Sequence, residues 1–361
     1  MQQKSSWTRR NCCFNVSETI SYGVHLATIK DVAKAASVST ATVSAVVNDT
    51  AYVSPDLRAR VLSAIRDLRY APSLVARNLR RGRSQLIALA VADLANPFYA
   101  RMVSSAEAAV AAWGYSLVLF NSDEKPETER RILSRIRTLG CDGAVVVPVG
   151  AASQYQNREF EDLPTVLLGR SIQGEPADTV TVDNLSAGKQ ATNYLLDLGH
   201  TQIGSITGPM QLSTSKGRLD GMLEAMASRG LVPQPGHVRS GEFREDTAYS
   251  VARDILSQAN RPSALYVSNG VMAIGTMRAV SDLGIRCPGD VSIASTDTIS
   301  GVGGLKPRLT RTEHPVADMT NTALRMLVER IEGKFSGPPR HIVFQPALVV
   351  GESCAPIARL Y

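Results

Sequence analysis

At 361 residues the chain has room for two or three domains of about 150 residues each. With 44% hydrophobic and 20% charged residues it has the composition of a soluble chain with a sizeable core, which excludes disorder throughout. No apolar run approaches the ~18 residues of a membrane span, and residues 1–25 lack the apolar stretch of a secretory signal.

The net charge of +6 is unevenly placed. Between Leu26 and Ser84 ten basic residues stand against four acids, whereas residues 85–361 carry 26 basic residues against 28 acids. A basic head on a near-neutral body is the footprint of a nucleic-acid-binding module joined to something else; the plainer reading is a solvated surface. The five cysteines include no CxxC pair and no histidine at metal-ligand spacing, so neither zinc nor a disulfide scaffold is expected. A reduced, cytoplasmic compartment fits this usage.

Residues 1–25 show no periodicity and read as a disordered extension or an over-extended start. Thr28, with Asp31 three residues on, marks a helix start, and Val32, Ala33, Ala35 and Ala36 give that helix an apolar face. Ser37 and Val38 make a turn. Ser39 caps a second helix over 40–47, with Val43, Val46 and Val47 facing inward and Thr40, Ala41, Ser44 and Ala45 outward. Ser54 caps a third helix, with Pro55 first and Asp56 in the first turn. Leu57, Val61, Ala64, Ile65 and Leu68 recur along it at helical spacing. Three short helices, the second opening on small polar side chains, describe a helix-turn-helix over 26–72. Residues 73–84, with Ser73, Leu74, Arg77 and Leu79 before an arginine cluster, make an element too short to be helical alone.

From Gln85 the texture changes. Strands are expected at 86–92, 116–120, 143–147 and 165–168, with helices at 98–113 and 127–139. After Asp183 the pattern restarts, with helices at 187–198, 217–229, 247–258 and 271–283 and strands at 203–207, 237–241, 264–267 and 291–295. Two runs of βα units predict two parallel sheets, hence a two-lobed α/β body over 85–361. Ligands of such sheets sit beyond the carboxyl ends of the strands. That singles out Asn96, Arg170, Asp183, Asn269 and Asp297.

The words of the head, TIKDVAKAA at 28–36, VSTATVS at 38–44, VS at 53–54, RARV at 58–61 and YAPSLVARNL at 70–79, resemble the DNA-binding head of the LacI/GalR family of transcription regulators. NPFY at 96–99, VDN at 182–184, LGH at 198–200, GRLDG at 217–221 and VSN at 267–269 carry the resemblance into the body, together with DVS at 290–292 and LT at 309–310. The resemblance implies a small all-α head on a periplasmic-binding-protein-like body. It assigns Thr40, Ala41 and Ala45 to base edges, and Ser39, Thr42, Ser44, Asn48 and Tyr52 to phosphates. It assigns Arg77 and Leu79 to a hinge whose leucine wedges into the minor groove. In the body it assigns ligand contacts to Phe98, Asp183, Arg218, Phe243, Asn269, Asp297 and His314. Each has a structural alternative: Ser39 as a helix cap, Asp183 as a cap of the helix that follows it, Arg218 in a surface pair with Asp220, His200 as a loop residue. Nothing nearby in sequence neutralises Asp297.

Five positions depart from the family pattern. Ala45 stands where many members place Arg or His and cannot fork to guanine. Gly270 stands for Asp, Ser295 and Thr296 for Gly and an aromatic residue, and Gly351 for Arg. The expected function is a sequence-specific repressor that binds a pseudo-palindromic operator on double-stranded DNA. It answers to a small-molecule effector and uses no metal or cofactor; two aromatic walls with Asp, Asn and Arg suit a sugar or polyol and leave a purine-type or phosphorylated ligand open. No enzyme signature appears. A periplasmic solute-binding protein is the rival reading, because the body alone would look the same. A homodimer is expected, since a two-fold protein matches a palindrome; the ending at residues 355–361 carries no heptad segment for a larger assembly.

Overall fold

A computed structural model describes residues 27–70, 83–150, 155, 160, 163–174, 176–297 and 306–357. The hinge element with Arg77 and Leu79 lies outside them. The chain divides into two compact units, Met1–Gly82 and Arg83–Tyr361.

The first unit holds α1 (Ile29–Ala35), α2 (Thr40–Asn48) and α3 (Pro55–Asp67). Thr28 and Asp31 close a reciprocal capping box on α1. Ser37, at φ 52°, turns the chain into α2. At Ser54 the expectation needs correction: it holds the cap position, but its side chain makes no cap hydrogen bond. Pro55, with its fixed φ, and Asp56 at the positive end of the dipole start α3 without it. Val32, Ala33, Ala36, Val43, Val46, Val61 and Ala64 form the core. Ala35 and Leu68 are exposed, so the two helices bury narrower faces than their apolar residues suggest. The Arg60 guanidinium donates to the Ala36 carbonyl at 2.6 Å and so ties α3 to the end of α1.

The second unit is two lobes, each a six-stranded sheet covered by helices. Its elements in order are β1 (Leu86–Val91), α4 (Pro97–Ala112), β2 (Ser116–Asn121), α5 (Pro126–Thr138), β3 (Gly143–Val146), β4 (Thr165–Leu168) and β5 (Asp178–Val182). There follow α6 (Asn184–Asp197), β6 (Ile203–Thr207), α7 (Ser213–Ala227), β7 (Val238–Ser240), α8 (Glu245–Leu256), β8 (Ala264–Val267), α9 (Gly270–Asp282) and β9 (Ser292–Thr296). The last are β10 (Thr310–Glu313), α10 (Val316–Ile331), β11 (His341–Phe344) and β12 (Ala347–Val349). The sheet orders are β11-β5-β4-β3-β1-β2 and β12-β10-β9-β8-β6-β7. All pairings are parallel except β10 with β12.

Both sheets were legible in the β-strand runs, but their closure was not. The chain enters the second lobe after β5, returns to the first for α10 and β11, and crosses again to end in β12. The strands at the lobe crossings are three to five residues long, and DTVTV and TRTE alternate with polar residues, so no long apolar run announces them. In the first lobe α4 and α10 pack on one face and α5 on the other. In the second, α8 and α9 face α6 and α7 across the sheet.

Two glycines set the α6–α7 distance. A Cβ on Gly188 would stand 2.0 Å from the Arg218 carbonyl oxygen, and one on Gly221 2.0 Å from that of Leu185. The two backbones therefore touch, and this contact places the Arg218 side chain. Gly221→Ala is expected to cost about 3 kcal/mol, since backbone on both sides leaves nothing flexible to yield. Urea unfolding measures it, and an unchanged midpoint would show that the helices separate freely.

Candidate functional sites: the exposed face of the head and the cleft of the body

On the head, α2 presents Thr40 and Ala41 fully to solvent, with Thr42, Ser44, Ala45 and Asn48 half-buried beside them. Ser39 Oγ accepts from the Thr42 backbone N–H at 3.1 Å, so it is a cap whatever else it touches. Asn48 folds back along its own helix and donates to the Ser44 carbonyl at 2.8 Å. Asp49, in the left-handed region, ends α2 and pairs with Arg58. Tyr52, 91% exposed, has its ring in solvent, which hydrophobic burial alone would not select.

In the body, the carboxyl ends of both sheets face one cleft, as the strand order demands. Its inner space has a free volume of about 30 Å³, enough for a water or two, and is walled by Phe98 of the first lobe and Phe243 of the second. Asp297, which follows β9 at φ 73°, is its electrostatic centre. His314 Nδ1 lies 2.7 Å from one carboxylate oxygen and an Arg218 terminal nitrogen 3.6 Å from the other. Nothing near Asp297 in sequence neutralises it, as expected; its partners come from α7 and from the crossover after β10, both remote in sequence. Burial pushes this carboxyl up, and His314 and Arg218 outweigh burial to hold it below the ordinary carboxylate range. Behind it, Tyr266 and Thr312 hydroxyls meet Thr296 Oγ1 at 2.7 and 3.1 Å.

Arg218 pairs into the cleft and not with Asp220, and its Nε donates to Asn184 at 2.9 Å. Asn269 lines the inner space and also caps α9 through Met272 N–H at 2.9 Å. Phe98 meets His314 edge-on at 6.0 Å, so His314 stands behind the wall and does not itself line the space. Asp183 is placed otherwise than the ligand assignment implied. Its carboxylate accepts from Ser186 N–H at 2.8 Å, capping α6, and it does not line the inner space. His200 is a loop residue, with its ring nitrogens against Ser263 and Ser292 hydroxyls at 2.9 and 3.0 Å.

Beyond the ligand contacts that the resemblance assigns, the cleft also holds Arg170, Glu124 and Thr214. Arg170, singled out by its place after β4, is buried and forks onto Glu124 at 2.7 and 2.8 Å while lying 5.5 Å over the Phe243 ring. Burial works against its charge, and Tyr99 and Glu124 outweigh it, raising the guanidinium above its ordinary value. Glu124 follows β2 as Arg170 follows β4, and the same rule could have found it. Thr214 has no such signal, because it lies inside the first turn of a helix expected to begin at 217. Across the cleft, Ser171 N–H donates to Ser213 Oγ at 3.1 Å, and Arg244 reaches Asp123 at 3.0 Å.

A helix-turn-helix head with an outward face of small polar residues, on a two-lobed body with a polar cleft, defines a ligand-binding transcription regulator. Residues 28–73 match the family described as bacterial regulatory proteins, lacI family, and residues 192–354 the periplasmic binding protein-like domain. The HTH-type transcriptional repressor PurR of Edwardsiella ictaluri (strain 93-146) is 34% identical over 316 residues, covering 86% of this chain and 92% of that protein. PurR of Escherichia coli O139:H28 is 33% identical over 337 residues, 91% of this chain and 97% of that one. Among solved structures, the lac repressor dimer bound to operator and the anti-inducer ONPF shares the fold at a TM-score of 0.81 and 23% identity, over 91% of this chain and 99% of that one. The complex of the transcriptional regulator CelR with cellobiose aligns at 0.67 and 29% identity, over the same 91% and 99%. The chain belongs to the lacI family and is a DNA-binding transcription regulator. Among the described residues no helix is long and apolar enough to cross a membrane.

Two outcomes test these sites. Ala45→Arg is expected to create a preference for guanine worth about 1–3 kcal/mol at one base pair of each half-site; selected motifs identical to the parent's would take Ala45 out of the groove. Asp297→Asn is expected to cost about 3 kcal/mol at pH 7 by stranding Arg218. A carboxyl with a lowered folded pKa stabilises above its unfolded value of about 4 and ceases to as pH falls through the lowered value. The gap between parent and variant therefore narrows in acid, and urea midpoints from pH 3 to 7 would reveal a gap that stays constant.

Proposed function

We propose that the protein is an effector-responsive repressor that binds a two-fold operator as a homodimer. The observation that carries this reading is the presence in one chain of an exposed α2 face within a strongly basic segment and a cleft with buried, paired charges. Thr40, Ala41 and Ala45 read base edges. Ser39, Thr42, Ser44, Asn48 and Tyr52 hold phosphates, Ser39 and Thr42 with short hydroxyls at the start of α2, as helix starts do. Arg77 and Leu79 form the hinge, with Leu79 in the minor groove. Phe98 and Phe243 wall the effector, Arg218, Asn269 and Asp297 bind its polar groups, and His314 holds Asp297 in place. Asp183 serves the site by fixing the start of α6, where the chain enters the second lobe.

PurR is named a repressor, and the lac repressor structure contains an operator-bound dimer. CelR binds cellobiose. These relatives support repression, a dimer and a small polar effector here. The PurR relatives are repressors, which favours binding over catalysis here. Selection from random-sequence DNA is expected to return a two-fold motif of roughly 14–20 base pairs, with affinity falling steeply as salt rises. A pool showing no enrichment at moderate salt would overturn the reading.

A further inference from the structure

Among the described residues that line it, the cleft holds more positive charge than it balances. Beyond the inner space lies a second one of about 450 Å³, between Ser171 of the first lobe and residues 210–216 of the second, and Arg170 borders both. A volume of that order holds a small ligand, which the inner space alone does not. Around the two stand three cations, Arg170, Arg218 and Lys216, and two carboxylates, Glu124 and Asp297. Both carboxylates are committed, Glu124 to Arg170 at 2.7 Å and Asp297 to His314 and Arg218. Lys216 is exposed and joins no ion pair among the described residues.

The same wall is the start of α7. Leu212 occupies the cap position and offers no side-chain acceptor to the first N–H groups, so the positive end of a 15-residue helix faces the space uncapped. A separate observation points to a ligand. Thr214, only 6% exposed, lines the inner space, and its hydroxyl is buried without a hydrogen-bond partner. Buried hydroxyls are rarely left so unless something else completes them. Ser213 Oγ already accepts from Ser171 N–H and retains its own proton to donate.

We propose that the effector is an anion, a polyhydroxylated compound bearing a carboxylate or a phosphate. Its charged group sits against Lys216, Ser213 and the start of α7, and its hydroxyls meet Thr214, Asn269 and Asp297. This rests on the effector reading above and narrows it. A neutral carbohydrate would satisfy the aromatic walls and leave Lys216 and the helix start unanswered, while a cation would add to an existing excess.

The full-length protein is titrated with D-gluconate, D-glucose 6-phosphate, inorganic phosphate and D-glucose, each against sodium chloride of equal ionic strength. Thermal unfolding and calorimetry are the readouts. At least one of the two charged sugar derivatives is expected to raise Tm and bind at least tenfold more tightly than glucose, and which of them does so separates carboxylate from phosphate. Lys216→Glu is expected to lose at least tenfold of that affinity. Its side chain is exposed, and an unchanged melting temperature without ligand confirms that the variant folds. Three results would overturn the proposal: glucose bound as tightly as its charged counterparts, no anion stabilising the protein beyond salt, or Lys216→Glu binding like the parent. None of these touches operator selection, which tests the broader reading separately.

Discussion

Three backbone passages join the two lobes of the body, after β5, after β10 and between β11 and β12, and the site depends on where they run. Each lobe is completed by strands from distant sequence: β11 pairs with β5 in the first, while β10 and β12 close the edge of the second. Neither lobe is therefore a contiguous piece of chain, and relative motion of the two must be absorbed at these passages. Two of them carry a residue assigned to the cleft. Asp183 caps the helix at the first, and His314 lies in the second, touching Asp297 of one lobe and the Phe98 ring of the other. A change in cleft geometry would be felt at His314 before it reached any sheet interior.

The charges at the centre of the cleft are costly to bury, and the fold covers that cost by assembling partners from separate elements. Asp297 comes from the end of β9, Arg218 from α7 and His314 from the crossover. Arg218 is in reach only because Gly188 and Gly221 let α6 and α7 touch. Removing one partner from such a cluster costs more than the pairing contributes, because the remaining charge is stranded. The cluster is thus better understood as a device that fixes where polar groups point than as a source of stability. Arg170 and Glu124 repeat it on the first lobe, with Phe243 from the second lobe lying against the guanidinium.

What the sequence made legible follows the strength of local signals. The capping box at Thr28, the Pro55 helix start and the apolar strands at 143–146, 165–168, 203–207 and 264–267 act through neighbours within a few residues, and all appear where the pattern places them. The rule that ligands lie beyond strand ends brought Asn96, Arg170, Asn269 and Asp297 to one space. Asp183 caps α6 and does not line that space, whereas Asn96 and Asn269 cap their helices and line it. The pairing of Asp297 with His314 and Arg218 had no local trace, since it joins the end of β9, α7 and the crossover after the short, polar β10. Thr214 was hidden by a helix that begins four residues before its apolar periodicity does.

The contacts that span the cleft bear on how a ligand could control the body. Arg244 is 40% exposed on its side chain where it reaches Asp123, itself 41% exposed, and ion pairs of that kind contribute about 1 kcal/mol or less. The Ser171 to Ser213 hydrogen bond is of the same order, about 1 kcal/mol net. The stacking of Arg170 on Phe243 adds a comparable amount, about 1–2 kcal/mol where the pair is desolvated. Together these hold the lobes with only a few kcal/mol, against sheets whose interiors are far more stable. A balance that shallow can be tipped by a ligand whose affinities for the open and closed cleft differ by a few kcal/mol, roughly what two or three charge-assisted hydrogen bonds supply. The exposed position of Arg244 and Asp123 keeps that pair among the weak ones.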